Sequence, residues 1–403
     1  MVGEALARRN TIVLALAQSL GAAGPPIIIS LGGIVGQMLS PDPTLATLPV
    51  SLYSLGVAAG TIPAALIMRR FGRRSGYLLG AAIGAFSGLV ATFGIVSSAF
   101  AIFCLGTFMA GFYGSYVQSY RFAAADGLTG ALKSRAISSV MIGGLAAAVI
   151  GSQLVIWTRD AFPQAPFAGS FLSQAALALL ALPVLMQLRA PPENAPGERQ
   201  SGGRPLLQIL RMPRLILAII AGVVSYALMS FVMTAAPMAM VGCGFTVGEA
   251  ALGIQWHVLA MFAPSFFTGS LMARFGKERV TAVGLLLIAA SGAVALMGLE
   301  LAHFWISLIL LGVGWNFGFI GATAMVTDCH TPEERGKVQG FNDFLVFGTV
   351  AAASFSAGTL LTASGWELIN WLIFPAVAVV LVPLLLSAAR RDAENRGAEN
   401  RGA

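Results

Sequence analysis

The sequence predicts an all-α integral membrane protein with twelve transmembrane helices, arranged as two six-helix pseudo-repeats. Three observations predict it: an apolar composition, a series of apolar stretches of membrane-spanning length, and basic residues confined to one side of them. Of 403 residues, 57% are hydrophobic and only 10% are charged, whereas soluble domains average about 25% charged residues. So much apolar surface cannot be buried in one soluble core, so lipid must solvate part of it. A soluble enzyme, a disordered chain and, with three cysteines, a disulfide scaffold are excluded.

Twelve stretches are long and apolar enough to cross a bilayer, which requires about 20 residues each. They are 11–39, 48–68, 75–97, 99–121, 136–157, 167–188, 215–240, 250–272, 280–301, 304–327, 339–364 and 367–388. The longest polar stretch follows the sixth and contains Pro191, Pro192 and Pro196. We therefore expect an N-terminal half at 1–188, a cytoplasmic linker at 189–214, a C-terminal half at 215–389 and a disordered cytoplasmic tail at 390–403.

The basic residues support this count of spans. All of the 24 Lys and Arg residues except Arg159 fall on one side, and Arg159 lies beside Asp160. The positive-inside rule then places both termini in the cytoplasm, and we expect the protein in the bacterial inner membrane. The net charge of +7 therefore reflects membrane topology, and we expect the lipid bilayer as a partner and no nucleic acid.

The two halves repeat each other at a nearly constant offset. Arg70-Phe71-Gly72 corresponds to Arg274-Phe275-Gly276, and Asp126, Thr129 and Arg135 correspond to Asp328, Thr331 and Lys337. The run from Arg70 through Gly72 to Arg73 and Arg74 resembles the cytoplasmic loop signature of the major facilitator superfamily, Asp-Arg-x-Gly-Arg-Arg. The resemblance implies the fold of that superfamily, with a site near the midplane between the halves. Arg69 and Ala273 stand where the signature has aspartate, so the sequence does not assure the usual charge relay at the cytoplasmic gate.

No catalytic apparatus is evident, and we expect a transporter and not an enzyme. A phosphate-binding loop with Lys and Ser or Thr is missing from the sequence, which argues against an ATP-driven pump within the chain. Asp343 near the start of span 11 is a candidate for carrying a coupling proton, or for stabilising a helix N-terminus. Asn316, Trp315 and Gln118 are candidates for lining a central cavity, where polar and aromatic groups also suit an organic substrate.

Spans 7 and 8 carry a candidate metal site. Met229 and Met233 are four residues apart on span 7, and His257 and Met261 are four apart on span 8, so each pair shares a helix face. Counted from the loop between the spans, Met233 and His257 lie about 10 Å deep, and Met229 and Met261 about 17 Å deep. Soft thioether ligands select Cu(I), and imidazole adds affinity without charge. The alternative is that the methionines pack and the imidazole ties two helices together.

Three further sulfur-containing side chains lie at the outer mouth of this hairpin. Met238, Met240 and Cys243 are candidates for passing an ion inward from the periplasmic side.

A closer resemblance covers the whole chain. The run from Gln255 to Phe266, the Met-x-x-x-Met pair of span 7 and the run from Gly314 to Gly318 resemble the CcoA-like copper importers, the CalT family. The resemblance implies Met229, Met233, His257 and Met261 as copper ligands. It also implies copper import by alternating access for cbb3-type cytochrome c oxidase assembly, with copper as substrate, no permanently bound cofactor, and copper chaperones as candidate partners.

Two alternatives stay open. Riboflavin transporters are similar across much of the chain, so an organic-solute transporter is the second hypothesis. A third is a metal sensor or scaffold, but the chain has no output domain beyond the linker and tail.

Overall fold

The computed structural model describes residues 2–125, 128, 130–189, 203–331 and 333–402. Within them the regular elements are α-helices and one short 3₁₀-helix, and there is no strand. The N-terminal half contains α1 (Val2–Gly21), α2 (Gly24–Leu39), α3 (Leu48–Phe71), α4 (Arg73–Val96), α5 (Phe100–Ala124), α6 (Gly130–Thr158) and α7 (Ala168–Met186). The rest contains α8 (Leu206–Ile209), α9 (Pro213–Gly242), α10 (Val247–Phe262), α11 (Ser265–Phe275), α12 (Lys277–Met297), α13 (Leu301–Thr327), α14 (Arg335–Trp371) and α15 (Ile373–Gly402).

These helices give twelve membrane crossings. By length and hydropathy, nine helical stretches of the described residues could cross a membrane, or ten if the bent pair α10 and α11 counts as one. Two of them, Pro43–Val96 and Lys337–Ser387, contain 54 and 51 residues, about 80 Å of helix at 1.5 Å per residue. Each is broken at a glycine with positive φ, Gly72 or Gly365, and so supplies two crossings of a core about 30 Å thick. The predicted fold class is confirmed.

Prolines explain the breaks inside single spans. Pro25 and Pro26 lie in the first turn of α2, where span 1 changes direction after α1. Pro264 separates α10 from α11, which are bent by 43°. Proline lacks the backbone N–H that the preceding turn needs, so the helix bends at these points.

Small residues bring helices of the C-terminal half close together. A Cβ on Gly284 of α12 would lie 2.2 Å from the backbone nitrogen of Gly318 on α13. Such small-residue contacts replace hydrophobic driving force where lipid is the solvent. The resulting core surrounds α9 and α13 and includes buried Leu285, Leu311 and Met325.

The two halves meet toward the face opposite the linker. Thr47 Oγ1 donates to the carbonyl of Phe355 at 3.2 Å, and Gln153 Nε2 donates to Gln255 Oε1 at 3.1 Å. Both bonds lie near the ends of helices that are far from the linker. The two halves are therefore in direct contact near that face.

Two expectations differ from the structure or fall outside it. The tail was expected to be disordered, but α15 continues as a helix to Gly402, since its Ala, Glu and Arg residues are good helix formers. Asp126, Thr129 and residues 190–202 of the linker lie outside the described residues. The domain limits stay a prediction.

Candidate functional site

The four predicted metal ligands all lie inside the C-terminal half. Met229, Met233 and Met261 are buried in its core, and His257 is fully buried. His257 Nδ1 lies 2.7 Å from the carbonyl oxygen of Leu308 on α13. Since a carbonyl only accepts, Nδ1 carries the hydrogen and Nε2 is the acceptor nitrogen. The imidazole therefore ties α10 to α13.

His257 Nε2 has no hydrogen-bond partner among the described residues. Within those residues, no three His, Cys, Asp or Glu side chains are grouped so that they could hold a metal ion. The assignment of the four side chains as metal ligands stays a prediction.

The candidate entry residues lie at the face opposite the linker. Met240 is fully buried, whereas Cys243 is exposed. Met238 and Cys243 line a surface cavity of about 640 Å³ together with Trp366 and Glu367. Their role in metal entry stays a prediction.

An aromatic cluster, formed by Tyr226, Trp315, Phe319 and Phe347, occupies the wall of the C-terminal half. Tyr226 of α9 packs edge to face against the other three, with centroid distances of 5.3, 4.9 and 6.0 Å. Trp315 and Phe319 stack at 5.3 Å with an interplanar angle of 18°. Trp315 Nε1 is buried and has no hydrogen-bond partner among the described residues. The cluster is thus an extended π surface that holds one unused donor.

The opposite wall belongs to the N-terminal half. Arg121 and Gln118 lie three residues apart on α5 and share a face of that helix. Arg121 interacts electrostatically with Tyr226 and Asp343, which belong to the other half. Tyr53 of α3 also lies near Tyr226. These side chains therefore face each other across the space between the halves.

Charged groups in this space are only partly satisfied. Arg121 Nε is buried without a hydrogen-bond partner among the described residues. The exposed Asp343 accepts a hydrogen bond from Asn342 Nδ2 at 3.1 Å. Arg121 and Asp343 do not form a direct ion pair, so both keep hydrogen-bonding capacity for a bound molecule.

Asn316 does not line this space, contrary to the expectation from the sequence. It is fully buried, and its Nδ2 donates to the Met261 carbonyl at 2.6 Å and to Ser265 Oγ at 2.7 Å. Its Oδ1 accepts from Thr268 Oγ1 at 2.6 Å. The break at Pro264 leaves backbone groups without helical partners, and Asn316 satisfies them from α13.

The loop motif is built differently from its signature. Gly72 and Gly276 have φ of 81° and 88°, a backbone conformation that glycine adopts without strain. Arg70 and Arg274 lie over the rings of the following phenylalanines, at 5.3 and 5.2 Å from the centroids. Arg73 and Arg74 are the first two residues of α4, which begins directly after Gly72.

Beside the loop motif of the second half, the carboxylate of Asp328 at the end of α13 forms ion pairs with basic residues of other helices. Asp328 pairs with Lys277 at 2.5 Å and with Arg214 at 3.0 Å, and Arg214 also pairs with Glu278 at 3.1 Å. Ala273 stands at the aspartate position of the signature, and in this half the negative charge beside the motif comes from Asp328 instead.

Sequence reasoning missed Arg121, Tyr226 and the phenylalanines of the cluster. Arg121 was counted as a topological charge at the end of span 4. Its spacing of three residues from Gln118 was the available signal, because it places both on one helix face. The aromatic rings gave no signal, since aromatic residues are common in apolar spans.

Twelve crossings in two halves, with polar groups from each half near one another, are the arrangement of a membrane transporter. A family model described as Major Facilitator Superfamily matches residues 10–264 and 218–402. The chain therefore belongs to the Major Facilitator Superfamily.

Its relatives and structural neighbours are transporters. The chain is 67% identical over 394 residues to the riboflavin transporter RfnT of Brucella anthropi, covering 98% of this chain and 99% of that protein. It is 26% identical to the uncharacterized MFS-type transporter YddS of Bacillus subtilis, covering 97% and 93%. Its fold is similar to that of a mutant of the nucleoside transporter NupG, with a TM-score of 0.71, 14% identity and coverage of 94% and 99%.

The expectation of copper import is wrong. The near full-length identity to a riboflavin transporter overturns it and favours the alternative, an organic-solute transporter. The supply of copper for cytochrome oxidase assembly, which was expected from copper import, has no support either.

Proposed function

We propose that the protein transports riboflavin across the bacterial inner membrane by alternating access. The observation that carries this proposal is the 67% identity to a riboflavin transporter over 98% of the chain. The site is chemically suitable, because riboflavin joins a planar heteroaromatic ring to a chain of hydroxyl groups. The aromatic cluster offers stacking surface, and Arg121, Gln118 and Asp343 offer hydrogen bonds.

Uptake in a riboflavin auxotroph tests this function. A strain that cannot make riboflavin and lacks its own transporter is supplied with the intact gene or with an empty vector. We expect growth at low riboflavin concentration and accumulation of radiolabelled riboflavin only with the gene. A protein that is present in the membrane but supports neither growth nor uptake overturns the proposal.

A matched variant controls for protein amount. Phe267 and Phe317 form an edge-to-face pair between α11 and α13, with centroids 6.4 Å apart, and Phe267 is exposed. Phe317 is two residues from Trp315 and from Phe319, so it lies on the opposite side of α13 from the aromatic cluster. Phe267→Leu changes an aromatic pair outside the space between the halves. We expect its uptake per molecule to equal that of the unaltered protein.

We further propose that both termini are cytoplasmic and that transport is inward. The one-sided distribution of basic residues supports this orientation. Alkaline phosphatase is active only outside the cytoplasm, so a fusion after α15 should be inactive and a fusion in the loop after α6 active. The reverse pattern would invert the orientation.

A further inference from the structure

We propose that the aromatic cluster and Arg121 form a binding site for the uncharged, planar ring of the substrate, an inference that rests on riboflavin transport as the function. The ring stacks on the surface formed by Tyr226, Phe319 and Phe347, with Trp315 buried among them, and the Arg121 guanidinium donates to acceptors on the polar edge of the ring. The two recognition elements come from different halves, so the bound ring bridges them.

The aromatic part of the site is built from three helices. Tyr226 comes from α9, Trp315 and Phe319 from α13, and Phe347 from α14. Tyr226, Phe319 and Phe347 stay half-buried although they pack against one another. Large rings left partly accessible inside a bundle are a stacking surface for another planar π system.

Arg121 supplies the polar recognition. A charged side chain within a membrane bundle is costly and needs a compensating partner. The Nε of Arg121 has none among the described residues, and Trp315 Nε1 lacks one as well. Two unpaired buried donors near a π surface fit a ring that carries carbonyl oxygens and unprotonated ring nitrogens along one edge, because those atoms only accept.

Arg121 could instead extend toward lipid headgroups, as arginines near helix ends do. Its surroundings argue against that reading. Its electrostatic partners are Tyr226 and Asp343 of the opposite half, and Gln118 on the same helix face is exposed. The guanidinium carbon lies 4.9 Å from the centroid of the half-exposed Phe122 ring and is at the same time near Tyr226 and Asp343 of the other half.

The charge balance of the site sets its specificity. Arg121 carries one positive charge, and an ionised Asp343 carboxyl near it carries one negative charge. Their sum is zero, so a neutral ring leaves no uncompensated charge in a medium of low dielectric constant. A phosphorylated form of the same molecule would add about two negative charges beside Asp343. We therefore expect the site to prefer riboflavin over flavin mononucleotide.

Quenching of riboflavin fluorescence by the purified protein tests the site. Stacking against Trp or Tyr quenches flavin emission, so a titration gives both the Kd and the quenching at saturation. Trp315→Leu removes the indole that packs against Tyr226 and Phe319 together with its unused Nε1 donor, and should raise the Kd by roughly tenfold and reduce the quenching. Arg121→Lys keeps the charge but loses the planar donor fork, and should raise the Kd about tenfold. Phe267→Leu should leave both quantities unchanged.

Competition shows which part of the substrate is recognised. Lumiflavin, the ring without the hydroxylated chain, should displace riboflavin, whereas ribitol and flavin mononucleotide should not at equal concentration. Displacement by ribitol and not by lumiflavin would overturn ring recognition.

The outcomes separate the two proposals. If the unaltered protein binds riboflavin but Trp315→Leu and Arg121→Lys bind equally well, the assigned site is wrong and riboflavin transport stands. If the unaltered protein neither binds nor transports riboflavin, both are wrong. Circular dichroism and gel filtration of each variant establish that a weaker Kd does not come from misfolding.

Discussion

Replacing Asn316 by leucine should destabilise the protein without changing how it binds substrate. Leucine has the same number of side-chain heavy atoms with the same branching, although its methyl groups are bulkier, and it removes all three hydrogen bonds, to the Met261 carbonyl, Ser265 Oγ and Thr268 Oγ1. A hydrogen bond contributes about 1 kcal/mol in soluble proteins and averages about 0.6 kcal/mol in membrane proteins. Three of them give a loss of about 2–3 kcal/mol in the free energy of unfolding.

Reversible unfolding in mixed micelles of increasing sodium dodecyl sulfate measures this loss. Thr268→Val removes one of the three bonds and should cost about a third as much. Ser291→Ala removes a buried hydroxyl that bonds only within its own helix, to Ile288 at 2.7 Å, and serves as the control. A loss below about 0.5 kcal/mol for Asn316→Leu, or a tenfold weaker riboflavin Kd in the folded fraction, would refute the structural role.

Three further predictions concern other parts of the molecule. Arg204 of the linker lowers the pKa of the Glu334 carboxyl at the start of α14, because its guanidinium donates hydrogen bonds to that carboxylate. Because this pKa is depressed on folding, the interaction between Arg204 and Glu334 stabilises the folded state above the unfolded pKa of about 4.3. That stability is lost as the pH falls toward the folded pKa. Glu334→Gln should therefore lower the Tm at pH 7 and make the Tm fall less steeply in acid. A Cβ on Gly111 would lie 2.0 Å from the Tyr53 carbonyl oxygen, so Gly111→Ala should reduce the yield of folded protein severalfold, whereas Gly144→Ala, with its nearest atom at 4.0 Å, should not. Asp343→Asn should abolish accumulation of riboflavin against a gradient but leave exchange across the membrane intact, if the carboxyl carries the coupling proton; unchanged accumulation in reconstituted vesicles would exclude that role.

The crossings could be predicted because lipid imposes a simple rule on the sequence. Backbone groups in a bilayer must bond within a helix, so every crossing needs a long apolar run, and the loops must hold the charges. The bends in spans 1 and 8 followed from Pro25, Pro26 and Pro264 in the same way. The glycine breaks at Gly72 and Gly365 separate spans that continuous helix would otherwise join, and only the first lay in a recognisable motif.

The lateral contacts could not be predicted, because helical spacing fixes a residue's depth and face but not its neighbour. The spacing placed His257 and Met233 at one level, yet the imidazole bonds to Leu308 of α13. Asn316 and Trp315 are adjacent in sequence, and both were expected to line the cavity. They point in different directions, so one caps a helix break and the other joins the aromatic cluster.

The charge between the halves also explains why the copper interpretation failed. The guanidinium of Arg121 offsets the attraction of the nearby Asp343 carboxylate for a cation, so the two groups together do not favour one. The predicted ligands are buried in the core of the C-terminal half, with His257 fully inaccessible, so they lie behind the aromatic wall. The residues that face the space between the halves are instead aromatic, or carry opposite charges, as Arg121 and Asp343 do. Such a surface favours a neutral ring over a metal ion, which agrees with the similarity to a riboflavin transporter.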